Sequence, residues 1–186
     1  MSAVTTITIQ RPVPGGNETF VGVDAALGRS GVCVLTQGEI SLTLIDTKKL
    51  RGAKRLAYIA QAFSDVISAA PGPIAMSAVE GGSYNSGGRL YQLGQAQGMA
   101  QIALYRAGAP VCEVPPALLK KFYTGHTCAP KELVVKVASG HLGTTKDLDD
   151  NLADAYALAL VAESKYREAP VSSHEAEVLF KLKVEF

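Results

Sequence analysis

The chain has 186 residues, 47% hydrophobic and 19% charged, with a formal net charge of +1. That composition describes one globular domain able to bury a full core, and excludes a disordered or low-complexity chain. The small net charge excludes a polybasic protein but not a nucleic-acid binder, which needs only a local basic face.

No apolar run approaches the ~20 residues needed to span a bilayer. Met1–Thr6 lacks the basic and apolar regions of a signal peptide. The cysteines Cys33, Cys112 and Cys128 are odd in number and without metal-type spacing, so reduced thiols and a cytoplasmic location are expected. Residues 1–17, containing Arg11-Pro12-Val13-Pro14-Gly15-Gly16, read as a flexible extension, in which a weak alternation at Thr5, Ile7 and Ile9 could form a short edge strand. A domain is expected over 18–168 and a tail over 169–186.

The domain opens on Phe20-Val21-Gly22-Val23-Asp24, an apolar strand that stops on a carboxylate. Small residues turn the chain into a second strand over 31–36, and 40–46 alternates as a third, giving an antiparallel meander. Residues 47–55 hold Lys48, Lys49, Arg51, Lys54 and Arg55 with no acid, which reads either as a solvated helix start or as a phosphate-contacting edge. Apolar residues at helical spacing predict a helix over 53–70, ended by Pro71-Gly72-Pro73. Residues 74–79 form a buried strand that also stops on a carboxylate, Glu80. A glycine-rich loop carrying Tyr84 precedes a second helix over 89–107, where Gly94 and Gly98 are expected to permit close packing. A fifth strand covers 111–114, short helices follow at 116–123 and 130–141, and a long helix spans 149–167. The tail alternates from Phe180 to Phe186, which predicts a further strand pairing with a sheet edge.

A single Asp after a strand is commonly a turn residue. Here Glu80 ends a second strand in the same way, and the last long helix begins among Asp147, Asp149, Asp150 and Asp154. Carboxylates brought together as bare anions repel and raise one another's pKa. Divalent metal resolves the conflict, and oxygen-only ligands suit Mg²⁺ or Mn²⁺. Asp150 and Asn151 share the helix face of Asp154, Asp149 lies off it, and Asp147 is expected as the N-cap. Capping does not account for Asp154, a turn inside an Ala-Leu-Tyr helix.

In this order of elements the chain resembles the RuvC-type Holliday junction resolvases, of ribonuclease H-like fold, from about residue 20 to 165. Val21-Gly22-Val23-Asp24 with Gly31 is similar to the family's first motif, and Ala78-Val79-Glu80 to its second. Leu93-Gly94-Gln95-Ala96-Gln97-Gly98 is close to the family's Leu-Gly-Gln-Ala-Arg-Gly, and Ala153-Asp154-Ala155-Tyr156-Ala157-Leu158-Ala159 matches its Ala-Asp-Ala-Leu-Ala helix. Lys120 and Lys131 fall where the family places two lysines near the scissile phosphate. Two departures stand out: Ala25-Ala26 replaces a Pro-Gly, expected to cost turn rigidity, and Asn151 occupies the family's fourth acidic position. The divergence resembles a phage-encoded member.

The resemblance implies a mixed five-stranded sheet, three antiparallel strands then parallel ones, flanked by helices, with an extra C-terminal strand. It implies two-metal hydrolysis of a four-way DNA junction, with two Mg²⁺ or Mn²⁺ ions held by Asp24, Glu80, Asp154 and either Asp150 or Asn151, of which Asp150 is slightly favoured. Lys131 or Lys120 would supply positive charge to the transition state. Lys120, Lys121, Lys131, Lys136 and Lys146 outnumber the one acid, Glu132, between 119 and 146, as a phosphate face requires. Tyr84 could stack on an unpaired base. His126 and His141 read as surface or helix-end residues. A two-fold symmetric junction calls for a homodimer, for which helix 89–107 offers either an interface or, through its apolar face, intramolecular core. The rival readings are a ribonuclease H-like nuclease of broader branched-DNA or RNA specificity, and a junction-binding protein whose catalysis Asn151 has impaired.

Overall fold

The computed structural model describes residues 2–10, 17–36, 38–82, 90–144 and 148–185. Seven strands form one mixed sheet: β1 (Ala3–Gln10), β2 (Thr19–Asp24), β3 (Arg29–Leu35), β4 (Glu39–Asp46), β5 (Ile74–Glu80), β6 (Val111–Val114) and β7 (Val184–Glu185), in the order β1-β4-β3-β2-β5-β6-β7. The meander β2-β3-β4 is antiparallel, and β5 and β6 join it in parallel. These are the five expected strands. One antiparallel strand is added at each end, β1 on β4 and β7 on β6. Ala3–Gln10 is therefore an eight-residue ladder and not part of a flexible extension.

Helices α1 (Gly52–Ser68) and α2 (Leu90–Arg106) cover one face of the sheet, where Val21, Val23, Val32 and Ile45 meet Ile59, Phe63, Ala100 and Leu104. The other face, with Phe20, Cys33, Leu42 and Ala78, is covered by α3 (Pro116–Thr124), α4 (Lys131–Leu142), α5 (Asp150–Arg167) and α6 (Ser173–Lys181). Among the described residues no helix is long and apolar enough to cross a membrane.

The tail carries its expected edge strand at Val184–Glu185 and, before it, a helix that was not expected. Residues 173–181 are helical because Ser172 accepts from the Glu175 N–H at 3.2 Å, and the Glu175 carboxylate accepts from the Val171 N–H at 2.8 Å. That Ser-x-x-Glu pattern starts helices. It outweighs the start of the alternation, and among the described residues Val184 and Glu185 pair with β6. Lys121 holds α6 through Glu177, 2.5 Å away.

The packing that positions everything else lies beneath α5. A Cβ placed on Gly22 of β2 would stand 2.1 Å from the Ala155 carbonyl oxygen, and one on Gly31 of β3 would stand 2.0 Å from that of Asn151. The helix backbone rests directly on the strands, without a layer of side chains between. Gly94 and Gly98, expected to permit close packing, have no such neighbour among the described residues: a Cβ on either meets nothing within 4 Å.

Gly22→Ala forces a rigid backbone apart and should destabilise the fold by about 2 kcal/mol or more, lowering the melting midpoint by roughly 5 °C. Thermal denaturation followed by circular dichroism checks this; an unchanged midpoint contradicts the packing.

Candidate active site

Asp24 ends β2 and Glu80 ends the neighbouring parallel strand β5, so both carboxylates leave the same end of the sheet. The seat of α5 on Gly22 and Gly31 brings Asp154 to that end from the helical side. All three are buried or half-buried. Burial and the neighbouring Glu80 and Asp154 charges push the Asp24 carboxyl well above its ordinary range. Burial, then the Asp154 charge, raises Glu80 to about 7, and burial raises Asp154 to about 6. The positive charges of Lys131 and Lys120 oppose these shifts at Glu80 and Asp154.

Asp150 behaves differently. Its carboxylate lies 2.7 Å from the Lys131 ammonium, and that hydrogen bond holds its pKa below the ordinary value. Asn151 donates through its side-chain nitrogen to Asp149 at 2.7 Å and to Asp150 at 3.2 Å, which directs its amide oxygen away from those two acids. The helix is capped by Asp149, which accepts from the Asn151 N–H at 3.0 Å, and not by the expected Asp147. Asp147 and Tyr84 lie outside the described residues.

Of the remaining predicted residues, Lys121 is committed to Glu177 on α6 and Lys136 stands exposed on α4. His126 and His141 are exposed, and the His141 ring Nδ1 lies 3.4 Å from the Tyr123 hydroxyl at the end of α4. A cleft of 600 Å³ lined by Tyr123, His141, Tyr156 and Arg167 includes none of the three carboxylates.

Several residues support the site through contacts that the sequence did not indicate. Arg29, at the start of β3, pairs with Asp149 at 2.7 Å and Asp46 at 3.3 Å, and so ties the α5 cap to the sheet. Gln97 of α2 donates to the Glu80 carbonyl. The loop after Asp24 is stiffened without Pro-Gly: Ser30 Oγ accepts from the Ala26 N–H at 3.1 Å and donates to the Ala26 carbonyl at 2.7 Å. Thr47 adds bonds to the carbonyls of Leu27 and Gly28. The expected loss of turn rigidity is thereby made good.

The donor set fits divalent cations. Three desolvated carboxylates repel one another, offer only oxygen, and have two lysines as their nearby positive charge. Among the described residues no three His, Cys, Asp or Glu side chains already converge on one ion-sized point, so each ion would draw further ligands from water and phosphate.

Buried carboxylates at the ends of adjacent strands, with another from a helix seated on the sheet, define the ribonuclease H-like class of metal-dependent nucleases. Within that class the match is specific: the sequence model of the family "Crossover junction endodeoxyribonuclease RuvC" matches residues 20–162, and the chain belongs to the RuvC family. It is 33% identical over 145 residues to a crossover junction endodeoxyribonuclease RuvC of Anaeromyxobacter sp. (strain K), covering 75% of this chain and 77% of that protein. The corresponding protein of Zymomonas mobilis is 34% identical over 148 residues, covering 76% and 87%. The structure of T. thermophilus RuvC in complex with Holliday junction substrate superposes with a TM-score of 0.64 at 25% identity, covering 82% of this chain and 96% of that one.

The raised carboxylates set a pH dependence. Glu80 and Asp154 titrate higher in the folded chain than in the unfolded one, so the metal-free fold binds more protons than the unfolded chain. Their stabilising contribution is full below the unfolded values and is lost as the pH rises through about 6 to 7. A divalent cation replaces those protons, so its stabilisation should grow across the same window. Melting temperatures with and without the cation at about pH 5 and about pH 8 check the sign; equal increments at both would contradict it.

Proposed function

We propose that this protein resolves four-way DNA junctions by metal-dependent hydrolysis of phosphodiester bonds. The observation that carries the reading is the meeting of Asp24, Glu80 and Asp154, buried and mutually repelling, beside Lys120 and Lys131. Mg²⁺ is the expected cofactor, with Mn²⁺ as substitute and two ions per site. Asp24, Glu80 and Asp154 would hold them, joined by the Asn151 amide oxygen. When bound, the ions supply Lewis-acid activation of water and charge neutralisation at the phosphate.

The chain's own side chains do the rest. The sheet ends and the α5 seat fix the carboxylates before substrate arrives, so no reorganisation is needed during reaction. Lys131, held by Asp150 at 2.7 Å, keeps its ammonium beside the carboxylates and meets the negative charge that develops on the phosphate. Asp150 thus acts through Lys131 and not as a ligand, contrary to the slight preference drawn from helix geometry. Lys120 faces the same charge, and exposed Lys136 extends the cationic surface for DNA.

Two symmetric cuts require two copies of the site. We assign the dimer contact to the exposed side of α2, where Tyr91 and Tyr105 are 77% and 74% exposed and Gly94 and Gly98 leave open space beside Ile102. These residues recur at helical spacing along one stripe. The buried single thiols of Cys33 and Cys112 suit a reducing, cytoplasmic setting.

Asp24→Asn should abolish cleavage of a labelled four-way junction while leaving binding intact; retained turnover removes the central ligand from the scheme. Asp150→Asn should slow turnover by about tenfold or more without moving the metal concentration for half-maximal rate, whereas Asn151→Ala should shift that concentration. A metal shift from Asp150→Asn would return Asp150 to the ligand set. Ile102→Glu with Tyr105→Lys should yield monomers by analytical ultracentrifugation; an unaltered dimer would move the interface elsewhere.

A further inference from the structure

The lysines facing the carboxylates all come from the sheet face that carries α3 and α4. The opposite face supplies a second cationic group. Between β4 and the first turn of α1, residues 47–55 hold Lys48, Lys49, Arg51, Lys54 and Arg55 and no acid. β4 runs toward the same end of the sheet as Asp24, because it is antiparallel to β3, which is antiparallel to β2. The segment therefore begins at the catalytic end. Thr47 fixes it there, through its main-chain N–H at 2.9 Å and its hydroxyl, to carbonyls of the loop that follows Asp24.

Local structure accounts for some of these charges and not for others. The Arg51 guanidinium donates to the carbonyls of Lys48 and Leu50, and that of Arg55 to Leu50, so the arginines brace the segment. Lys48, Lys49 and Lys54 are exposed. Among the described residues none of the three has a carboxylate within 4 Å or a side-chain hydrogen bond. The nearest acid along the chain, Asp46, is paired with Arg29 and accepts from the Lys48 main-chain N–H. Five like charges within nine residues repel one another. A braced, uncompensated cationic shelf beside a nuclease site matches a polyanion.

Spacing indicates which part of the DNA it meets. Thr47 follows a strand two places from β2, about 10 Å across the sheet from Asp24. At about 3.4 Å per nucleotide along a strand, that is roughly three nucleotides from the scissile phosphate, and longer lysine reach extends the range to about six. We propose that Lys48, Lys49 and Lys54 form a second phosphate-contacting surface that grips a duplex arm of the junction on the sheet face opposite Lys120 and Lys131. The proposal rests on the junction-nuclease reading above.

The test measures binding of a fluorescent four-way junction in chelator across a salt series, for the wild type and for the triple variant Lys48→Ala, Lys49→Ala, Lys54→Ala. Each lost phosphate contact lowers the slope of log affinity against log salt by about 0.9, so the variant should show a slope smaller by about 2 to 3. The triple arginine variant should restore it. Neutral methylphosphonates placed about three to six nucleotides from the cut positions should weaken the wild type and add nothing to the alanine variant. An unchanged slope, or methylphosphonate losses that simply add to those of the variant, overturns the arm contact while the nuclease reading stands. A wild type that binds no junction overturns both.

Discussion

Direct contact between the α5 backbone and the sheet is the constraint on which the site depends. At Gly22 and Gly31 there is no space for a single methyl group, because the Ala155 and Asn151 carbonyls already occupy it. Glycine at those positions weakens a strand in isolation. It also lets a helix approach two neighbouring strands closely enough to set Asp154 against Asp24. Packed interiors transmit displacement instead of absorbing it, so the depth of this contact fixes the spacing of carboxylates contributed by separate elements. Arg29 completes the arrangement by tying the Asp149 cap to the first residue of β3 and the last of β4.

The electrostatics run against the fold. Burying Asp24, Glu80 and Asp154 together raises all three, a cost that a core of apolar residues would not incur. The lysines offset part of it. Lys131 does so from an exposed position, steadied by Asp150. Such opposition between local stability and function is where active sites are expected.

Much of this was legible in the sequence, and the reasons differ by element. Asp24 alone read as a turn residue, and it became legible as part of a site because Glu80 ends a second strand in the same way. Asp154 was legible as an acid inside a helix that is otherwise apolar, and Lys120 and Lys131 came through the family resemblance alone. Gly22 was read only as part of a motif, since nothing local says which helix will press on it. Arg29 was missed, and Gln97 was read only as part of a motif, because their partners, Asp149 and the Glu80 carbonyl, are distant in sequence. The tail's short edge strand was legible from its alternation, and Val184 and Glu185 do pair with β6, whereas the helix before it was missed although Ser172 and Glu175 carried its cap signal. Asp150 was placed correctly on the Asp154 face, but a helical wheel does not show that Lys131 reaches it.

The reaction proposed for this geometry is a structure-selective, paired cut. The most direct measurement maps nicks at nucleotide resolution on all four strands of a synthetic junction in Mg²⁺, beside a linear duplex of the same sequence. The expected outcome is two nicks at symmetry-related positions on opposing strands and an intact duplex. Comparable nicking of the duplex, or binding with no nick at any metal concentration, would contradict it.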